Sequence, residues 1–418
     1  MWWRVFQNSN ARPLARAGSG LQGLLWAAIG FFWAPVSFPA LGGVFALAWR
    51  SWHLTLTGRS VTGGVAKSLA LLAFLTVYYC IFGLHEPEAQ ALTVMMYRTV
   101  SLWLLYLFAF AFSTRPLDGY RIIAFYSIGM LVKSAWVVFT SLATDPILVA
   151  ARQVLDPFTG EQVNSIGYSN MAALAALAAI GGLVGRNSIL APRWGSRLVI
   201  GTVLAVALTI AIILQARTFF LVVAGAIAVF LWRLRKGAFV GFVVALGLVA
   251  SLVLVFGDEL VEGLGVSGPQ AALVGGIASR FSEKGLESPR YELWAHGVPR
   301  VLEQPGGGVR VDSNLYGTKW LHNLWLDAAR TSSLFAVALL IAFQLMHLRD
   351  FIGLAKRAKE DADLFVLLVL CVGTFAIAFT SIPLEGDLCI FGLFVILHGV
   401  VAGLGRGGLL EAPRPAPG

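Results

Sequence analysis

Apolar runs of roughly bilayer length alternate with short polar turns along almost the whole chain. The apolar segments lie near 21–37, 39–49, 68–84, 92–112, 121–142, 167–185, 198–214, 217–232, 237–257, 332–348, 362–383 and 388–404. A transmembrane helix needs about 20 predominantly apolar residues. The pattern therefore predicts an all-α polytopic membrane protein with about 12 transmembrane helices. The first two segments are short and could form one broken helix.

Composition narrows the class of protein further. The chain has 418 residues, of which 58% are hydrophobic and 13% are charged. Soluble domains carry roughly 25% charged residues, about twice this share. These values exclude a soluble enzyme, a secreted disulfide scaffold, a disordered chain and a protein with a single membrane anchor.

The formal charge of +9 does not indicate nucleic-acid binding, because of where the basic residues lie. If the N-terminus is cytoplasmic, most of the 31 basic residues fall in turns on that side, whereas the turns at 85–91 and 384–387 contain none. This is the asymmetry of the positive-inside rule. It predicts that both chain ends are cytoplasmic.

One outer connection is much longer than the others, and it divides the chain. We predict a membrane bundle of about nine spans at 1–257, a large helical outer loop at 258–331, three last spans at 332–404 and a cytoplasmic tail at 405–418. Within the loop, Ser288-Pro289 reads as a helix start and predicts a helix to about Glu303. The run 304–308 (QPGGG) ends it, and a further helix is expected from near Lys319 into the span at 332.

Several cations lie on or near the predicted outer side. Arg217 lies at the tip of a tight hairpin between two apolar segments, Arg152 in the loop at 143–166, and Arg98 and Lys133 within spans. Charges at membrane depth are costly and usually functional. Because guanidinium groups bind phosphate oxygens bidentately, arginines at the outer face suit a diphosphate head group.

Short motifs support a family resemblance. The large loop contains an Arg with Trp four residues on (290–294, RYELW), a Pro-Gly-x-Gly turn (304–308) and a His-Asn pair entering the next span (322–326, HNLWL). With the span opening at 167–173 (GYSNMAA) and Arg217, their order and spacing resemble the O-antigen ligase/polymerase superfamily. The chain lacks the arginine–glycine spacing typical of polymerase members, which favours an O-antigen ligase.

The resemblance implies a C-type glycosyltransferase in the bacterial inner membrane, with a periplasmic large loop and active site. Such a ligase moves O-antigen from undecaprenyl diphosphate, the donor, to a sugar of lipid A–core, the acceptor, with inversion and without a metal or cofactor. His322 is then the general base, since imidazole titrates near operating pH. Arg217, Arg290 and Arg152 then bind the diphosphate. The partners are these two substrates and membrane lipids, not nucleic acid.

Other functions remain open at this point. An O-antigen polymerase or a protein O-oligosaccharyltransferase of the same superfamily would use the same donor. A lipid-glycan flippase or transporter would instead place charges along a path through the spans, where Lys133 is the one deep charge. Metal-dependent transfer would need outer carboxylates such as Glu86, Glu88, Glu385 and Asp387, which we interpret as ordinary acidic turns.

Overall fold

The computed structural model describes residues 22–31, 62–85, 92–157, 160, 162–184, 194–214, 216–234, 236–241, 243–245, 290–309, 321–380, 388–406 and 409–410. This part of the chain is mostly helical. Its elements are α1 (Thr62–His85), α2 (Leu92–Phe112), α3 (Pro116–Thr144), α4 (Pro146–Ala150), β1 (Gln153–Leu155), β2 (Gln162–Asn164), α5 (Ile166–Val184), α6 (Trp194–Ile213), α7 (Arg217–Leu234), α8 (Arg290–Glu303), α9 (Leu324–Thr331), α10 (Leu334–Arg357), α11 (Ala362–Thr380) and α12 (Leu388–Arg406). Shorter apolar helices lie at Gln22–Phe31 and Lys236–Ala245.

Seven of the described helices are long and apolar enough to cross a membrane: α1, α2, α3, α5, α10, α11 and α12. They coincide with predicted apolar segments, so the expectation of a helical, multi-pass membrane protein is confirmed. The number twelve stays a prediction, because the segment at 39–49 and part of the segment at 237–257 lie outside the described residues.

Helix α5 runs through the centre of the bundle and contacts α3, α6, α7, α11 and α12. All of its residues from Gly167 to Gly182 are buried, and many are alanine. Small side chains let helix backbones approach closely where there is no water to drive association. Glycines also allow close approach between α2 and α12. A Cβ on Gly399 would lie 2.5 Å from the carbonyl oxygen of Tyr106.

The two ends of the bundle differ in charge. We call the end where α11 stops and α12 begins the His322 end, since His322 lies there. At the opposite end Lys67 forms an ion pair with Asp350, and the Arg233 guanidinium donates to the carbonyl oxygens of Ala358 and Lys359. By the positive-inside rule, this basic end is the one expected to face the cytoplasm.

Two connections differ from the sequence expectation. The loop at 143–166 contains the short helix α4 and an antiparallel hairpin, in which Val154 pairs with Val163. The helix expected from near Lys319 begins only at Leu324, because Asn323 caps its first turn. It does not continue into the next span: Ser332 and Ser333 are not helical, and the Ser333 side chain caps α10.

The remaining expectations for the large loop have mixed outcomes. Helix α8 begins at Arg290 and ends at Glu303, as the Ser-Pro start and the Gly-rich stop predict. Residues 258–289 and 310–320 of this loop lie outside the described residues. The location of the loop relative to a membrane stays a prediction.

Candidate functional site

His322 lies in a tight turn directly before α9. Its backbone has φ of 53°, the left-handed region that residues other than glycine rarely adopt. Asn323 then caps the helix: its Oδ1 accepts from the backbone N–H groups of Trp325 and Leu326, both at 3.1 Å. Asparagine suits this position because its short side chain satisfies backbone donors that the first turn leaves unpaired.

The carboxylate of Asp327 holds the backbone on both sides of His322. Its Oδ1 accepts from Leu321 N at 2.7 Å, and its Oδ2 accepts from Asn323 N at 3.1 Å. A left-handed non-glycine residue costs about 1–3 kcal/mol and persists only when its surroundings over-determine it. These two bonds supply that constraint, so His322 is presented in one fixed backbone conformation.

Asp327 itself is buried beside Arg330. The Arg330 Nε lies 3.5 Å from Asp327 Oδ1, and both side chains are about 5% exposed. Burial raises the pKa of Asp327 to about 6, against the opposing effects of Arg330 and of the two backbone N–H donors. Arg330 also donates from Nη1 to the carbonyl oxygen of Val309 at 3.2 Å, and therefore has a structural role in this turn.

The glycine-rich turn after α8 packs against the junction of α9 and α10. Gly307 and Gly308 have φ of 91° and 72°. A Cβ on Gly307 would collide with the carbonyl oxygen of Ser332, and one on Gly308 would lie 2.6 Å from Nδ1 of His85. The His85 Nε2 donates to the Gly306 carbonyl oxygen at 3.2 Å. The run predicted as a helix stop therefore also anchors the His322 segment to α1.

Aromatic residues connect α8, the His322 turn and α11. The Trp294 indole donates from Nε1 to the Leu321 carbonyl oxygen at 2.6 Å, and its ring meets Phe379 edge-on at 5.6 Å between centroids. The Asn323 side chain donates from Nδ2 to the Phe379 carbonyl oxygen at 3.3 Å. The turn therefore lies beside the last residues of α11, and Arg290 begins the helix that supplies Trp294.

Arg152 lies in the turn between α4 and β1, next to the residue that precedes α5. Its backbone φ is 63°, and its carbonyl oxygen accepts from the N–H of Ser165, the residue just before that helix. The following hairpin is fixed to the helix by the Tyr168 hydroxyl, which donates to Asp156 Oδ2 at 2.8 Å. This bond is buried, so Arg152 is attached to a rigid part of the loop.

Arg152 and His322 share an unusual property. In the described part of the chain they are the two non-glycine residues with positive φ. Strained backbone of this kind concentrates at active sites and ligand-binding sites. The sequence also predicts both as site residues, so the backbone strain is an independent reason to assign them to a site.

Arg217 begins α7, which packs beside α5 and α11. Helices α5, α7 and α11 meet at Gly373 of α11. A Cβ placed on Gly373 would lie 2.5 Å from Leu177 Cδ1 of α5 and 3.7 Å from Val222 Cγ1 of α7. At 1.5 Å per residue, Arg217 lies about 7.5 Å from Val222 along α7, and Phe379 about 9 Å from Gly373 along α11. Arg217 and the His322 turn therefore flank the same end of α11 at similar depth.

Four residues considered from the sequence lie outside the described part of the chain, and one residue of the candidate site is not predicted from the sequence. Glu86, Glu88, Glu385 and Asp387, the alternative metal-site carboxylates, lie outside the described residues. Within the described part, no group of three or more His, Cys, Asp or Glu side chains could hold a metal ion. Asp327 was not identified from the sequence, although its spacing of four residues after Asn323 is the signal that could have shown it.

Comparison with known proteins adds no assignment. No protein-family model matches the chain, and no curated protein matches it. The candidate site is therefore defined by its own residues: the His322 turn with Asp327, the end of α11, Arg217 at the start of α7, and Arg152 in the loop before α5.

Proposed function

We propose that this protein is a membrane glycosyltransferase of the O-antigen ligase type. It takes a glycan from undecaprenyl diphosphate and attaches it to a sugar hydroxyl of lipid A–core. The observation that carries the proposal is the strained His322 turn, held by Asp327 at the end of the bundle where Arg217 and Arg152 also lie. The proposal assigns the imidazole of this turn and the two guanidinium groups to one site.

The proposed reaction needs few groups from the protein. The acceptor hydroxyl oxygen bonds to the anomeric carbon while the bond from that carbon to the phosphate oxygen breaks. The diphosphate leaves with the electron pair, and the hydroxyl proton passes to His322. Because the donor is already activated, a general base and a cationic clamp are sufficient, and direct attack inverts the anomeric carbon.

The positions of the arginines suit the leaving group. Arg217 is the first residue of α7, where the unpaired N–H groups and the helix dipole favour an anion. A guanidinium at that position adds a permanent charge and a bidentate donor pair. Arg152 is not in a helix, but its backbone carbonyl is bonded to Ser165, next to the first turn of α5, and Arg290 at the start of α8 completes the proposed set.

The membrane arrangement belongs to the proposal as well. About twelve spans, a periplasmic loop at 258–331 and a bacterial inner-membrane location would put the His322 end in the periplasm. The basic residues at the opposite end support this orientation. A substituted-cysteine labelling experiment with a membrane-impermeant reagent, with single cysteines placed at Gly306 and Lys359, would test it.

The activity is tested with purified protein in nanodiscs, given an undecaprenyl-diphosphate-linked O-glycan and lipid A–core in the presence of EDTA. Transfer to lipid A–core supports the ligase. Lengthening of the lipid-linked glycan without transfer would assign the polymerase activity instead, and transfer to an added protein acceptor the O-oligosaccharyltransferase. Passage of the lipid across the bilayer with no new glycosidic bond would indicate the flippase.

A further inference from the structure

The N-terminal part of α5 contains a buried asparagine, Asn170. Asn170 is 1% exposed, and neither its Oδ1 nor its Nδ2 has a hydrogen-bond partner among the described residues. A buried amide normally finds partners, since leaving it unsatisfied costs stability. A ligand that offers both a donor and an acceptor would satisfy this side chain, and the position of Asn170 shows whether a ligand could lie there.

The helical period gives the direction in which Asn170 faces. It lies seven residues before Leu177, which is close to two full turns, so the two side chains share one face of α5. Leu177 is the residue that packs at Gly373 of α11, beside Val222 of α7. Asn170 therefore faces the interval between α7 and α11, about 10.5 Å nearer to the His322 end than Leu177.

Two proposed functional groups, Arg217 and the His322 turn, border this interval between α7 and α11. Arg217 lies about 7.5 Å beyond Val222 on α7, and Phe379, which binds Asn323, lies about 9 Å beyond Gly373 on α11. Asn170 is thus at the depth of both, between the arginine that begins α7 and the His322 turn. The contact of Ser134 Oγ with Met171 Sδ at 3.6 Å places α3 on a different side of α5.

We propose that Asn170 binds the sugar that is being transferred, the one attached to the diphosphate. This inference rests on the proposed function. Between a diphosphate at Arg217 and an acceptor hydroxyl at His322, the ligand group at Asn170 is the first sugar of the donor. An amide offers one donor and one acceptor, which suits a hydroxyl or N-acetyl substituent on that sugar. Asn170 therefore contributes to the selection of the donor sugar.

The test compares two lipids and two variants. Undecaprenyl diphosphate and its N-acetylglucosamine conjugate are bound to protein in nanodiscs, and the ratio of their Kd values is measured. The wild type should bind the conjugate about tenfold more tightly, equivalent to one net hydrogen bond. Asn170→Leu should abolish this preference and leave the affinity for undecaprenyl diphosphate unchanged. It should keep or raise the thermal stability, because Asn170 makes no side-chain hydrogen bond to another described residue.

Thr374→Val is the matched control. Thr374 is also buried and its hydroxyl also has no partner among the described residues, but it lies next to Gly373, below the proposed site. This variant should keep the wild-type preference. An unchanged preference in Asn170→Leu, or none in the wild type, would overturn the inference, while glycan transfer by the wild type would still uphold the proposed function. Absence of both lipid binding and transfer in the wild type would overturn both.

Discussion

The side chain of Asp327, in α9, fixes the backbone of His322 in the turn before that helix. One carboxylate oxygen accepts from the residue before His322 and the other from the residue after it. The imidazole is thereby presented from a left-handed position that a flexible loop would not hold. In the proposed reaction this matters because a general base must stay within hydrogen-bond reach of the proton that it removes.

Asp327→Asn should weaken both folding and transfer. The amide retains one acceptor oxygen for two backbone N–H groups, and it leaves the buried Arg330 without its carboxylate. A buried backbone N–H left without its acceptor costs about 1–3 kcal/mol. We expect a clear fall in thermal stability and a transfer rate at least about tenfold lower, since a misplaced base loses part of its 10²–10⁴-fold contribution.

Glu360→Gln is the control for that variant. Glu360 pairs with Arg357 at the same spacing of three residues, but its side chain is 73% exposed. Exposed pairs contribute about 0–1 kcal/mol. Both stability and transfer should stay near wild type, and a loss as large as that of Asp327→Asn would refute the special role of the buried pair.

The pH dependence of stability should report the same carboxyl group. The pKa of Asp327 is raised from 3.8 to about 6 in the folded protein, so between these values the folded state binds more protons than the unfolded state. The free energy of unfolding should therefore fall as pH rises from about 4 to 6, and this contribution should be constant above that range. Thermal unfolding of wild type and Asp327→Asn at several pH values measures the difference. Parallel profiles would contradict the assignment.

The glycine-rich turn provides a second test of the support around His322. Gly307→Ala requires a left-handed alanine whose Cβ meets the Ser332 carbonyl oxygen, so it should destabilise the protein by more than about 1 kcal/mol and reduce transfer. Gly306→Ala adds a Cβ that meets nothing within 4 Å. It should change stability by less than about 0.5 kcal/mol. Equal effects in thermal unfolding would show that the turn does not anchor the junction of α9 and α10.

Arg217→Lys tests the proposed diphosphate clamp. Lysine keeps the positive charge but not the planar pair of donors. We expect transfer to fall by about tenfold to a hundredfold with little change in thermal stability, equivalent to a loss of about 1.4–2.7 kcal/mol of transition-state binding. Arg357→Lys, at the opposite end of the bundle, should retain full activity. Full activity in Arg217→Lys would remove Arg217 from the clamp.

The sequence predicts the spans better than the site. Helix α2 occupies the predicted segment 92–112 because a mostly apolar run of this length, with Arg98 as its one charged residue, must satisfy its backbone hydrogen bonds internally in a bilayer. The end of α8 at Glu303 follows from the Pro and Gly residues behind it. These features depend on local sequence, and local sequence is sufficient to predict them.

Asp327, the β-hairpin and Asn170 depend on tertiary contacts instead. The role of Asp327 follows from a turn that folds back onto it, and strands of three residues carry too little pattern to be predicted. In the sequence, Asn170 is one polar residue within an apolar run, and nothing there distinguishes it. The packing of Leu177 shows which way Asn170 faces. Sequence motifs predict His322, Arg217 and Arg290 as site residues. The place of Arg152 in the outer loop at 143–166 predicts it as well.

The most direct test of the central claim is glycan transfer to lipid A–core by wild type, His322→Ala and His296→Ala, side by side in EDTA. His296 is an exposed histidine of α8 and serves as the control. The account predicts transfer by wild type and His296→Ala, and a loss of at least about 10²-fold in His322→Ala, with its thermal stability retained. Transfer by His322→Ala at the wild-type rate would contradict it.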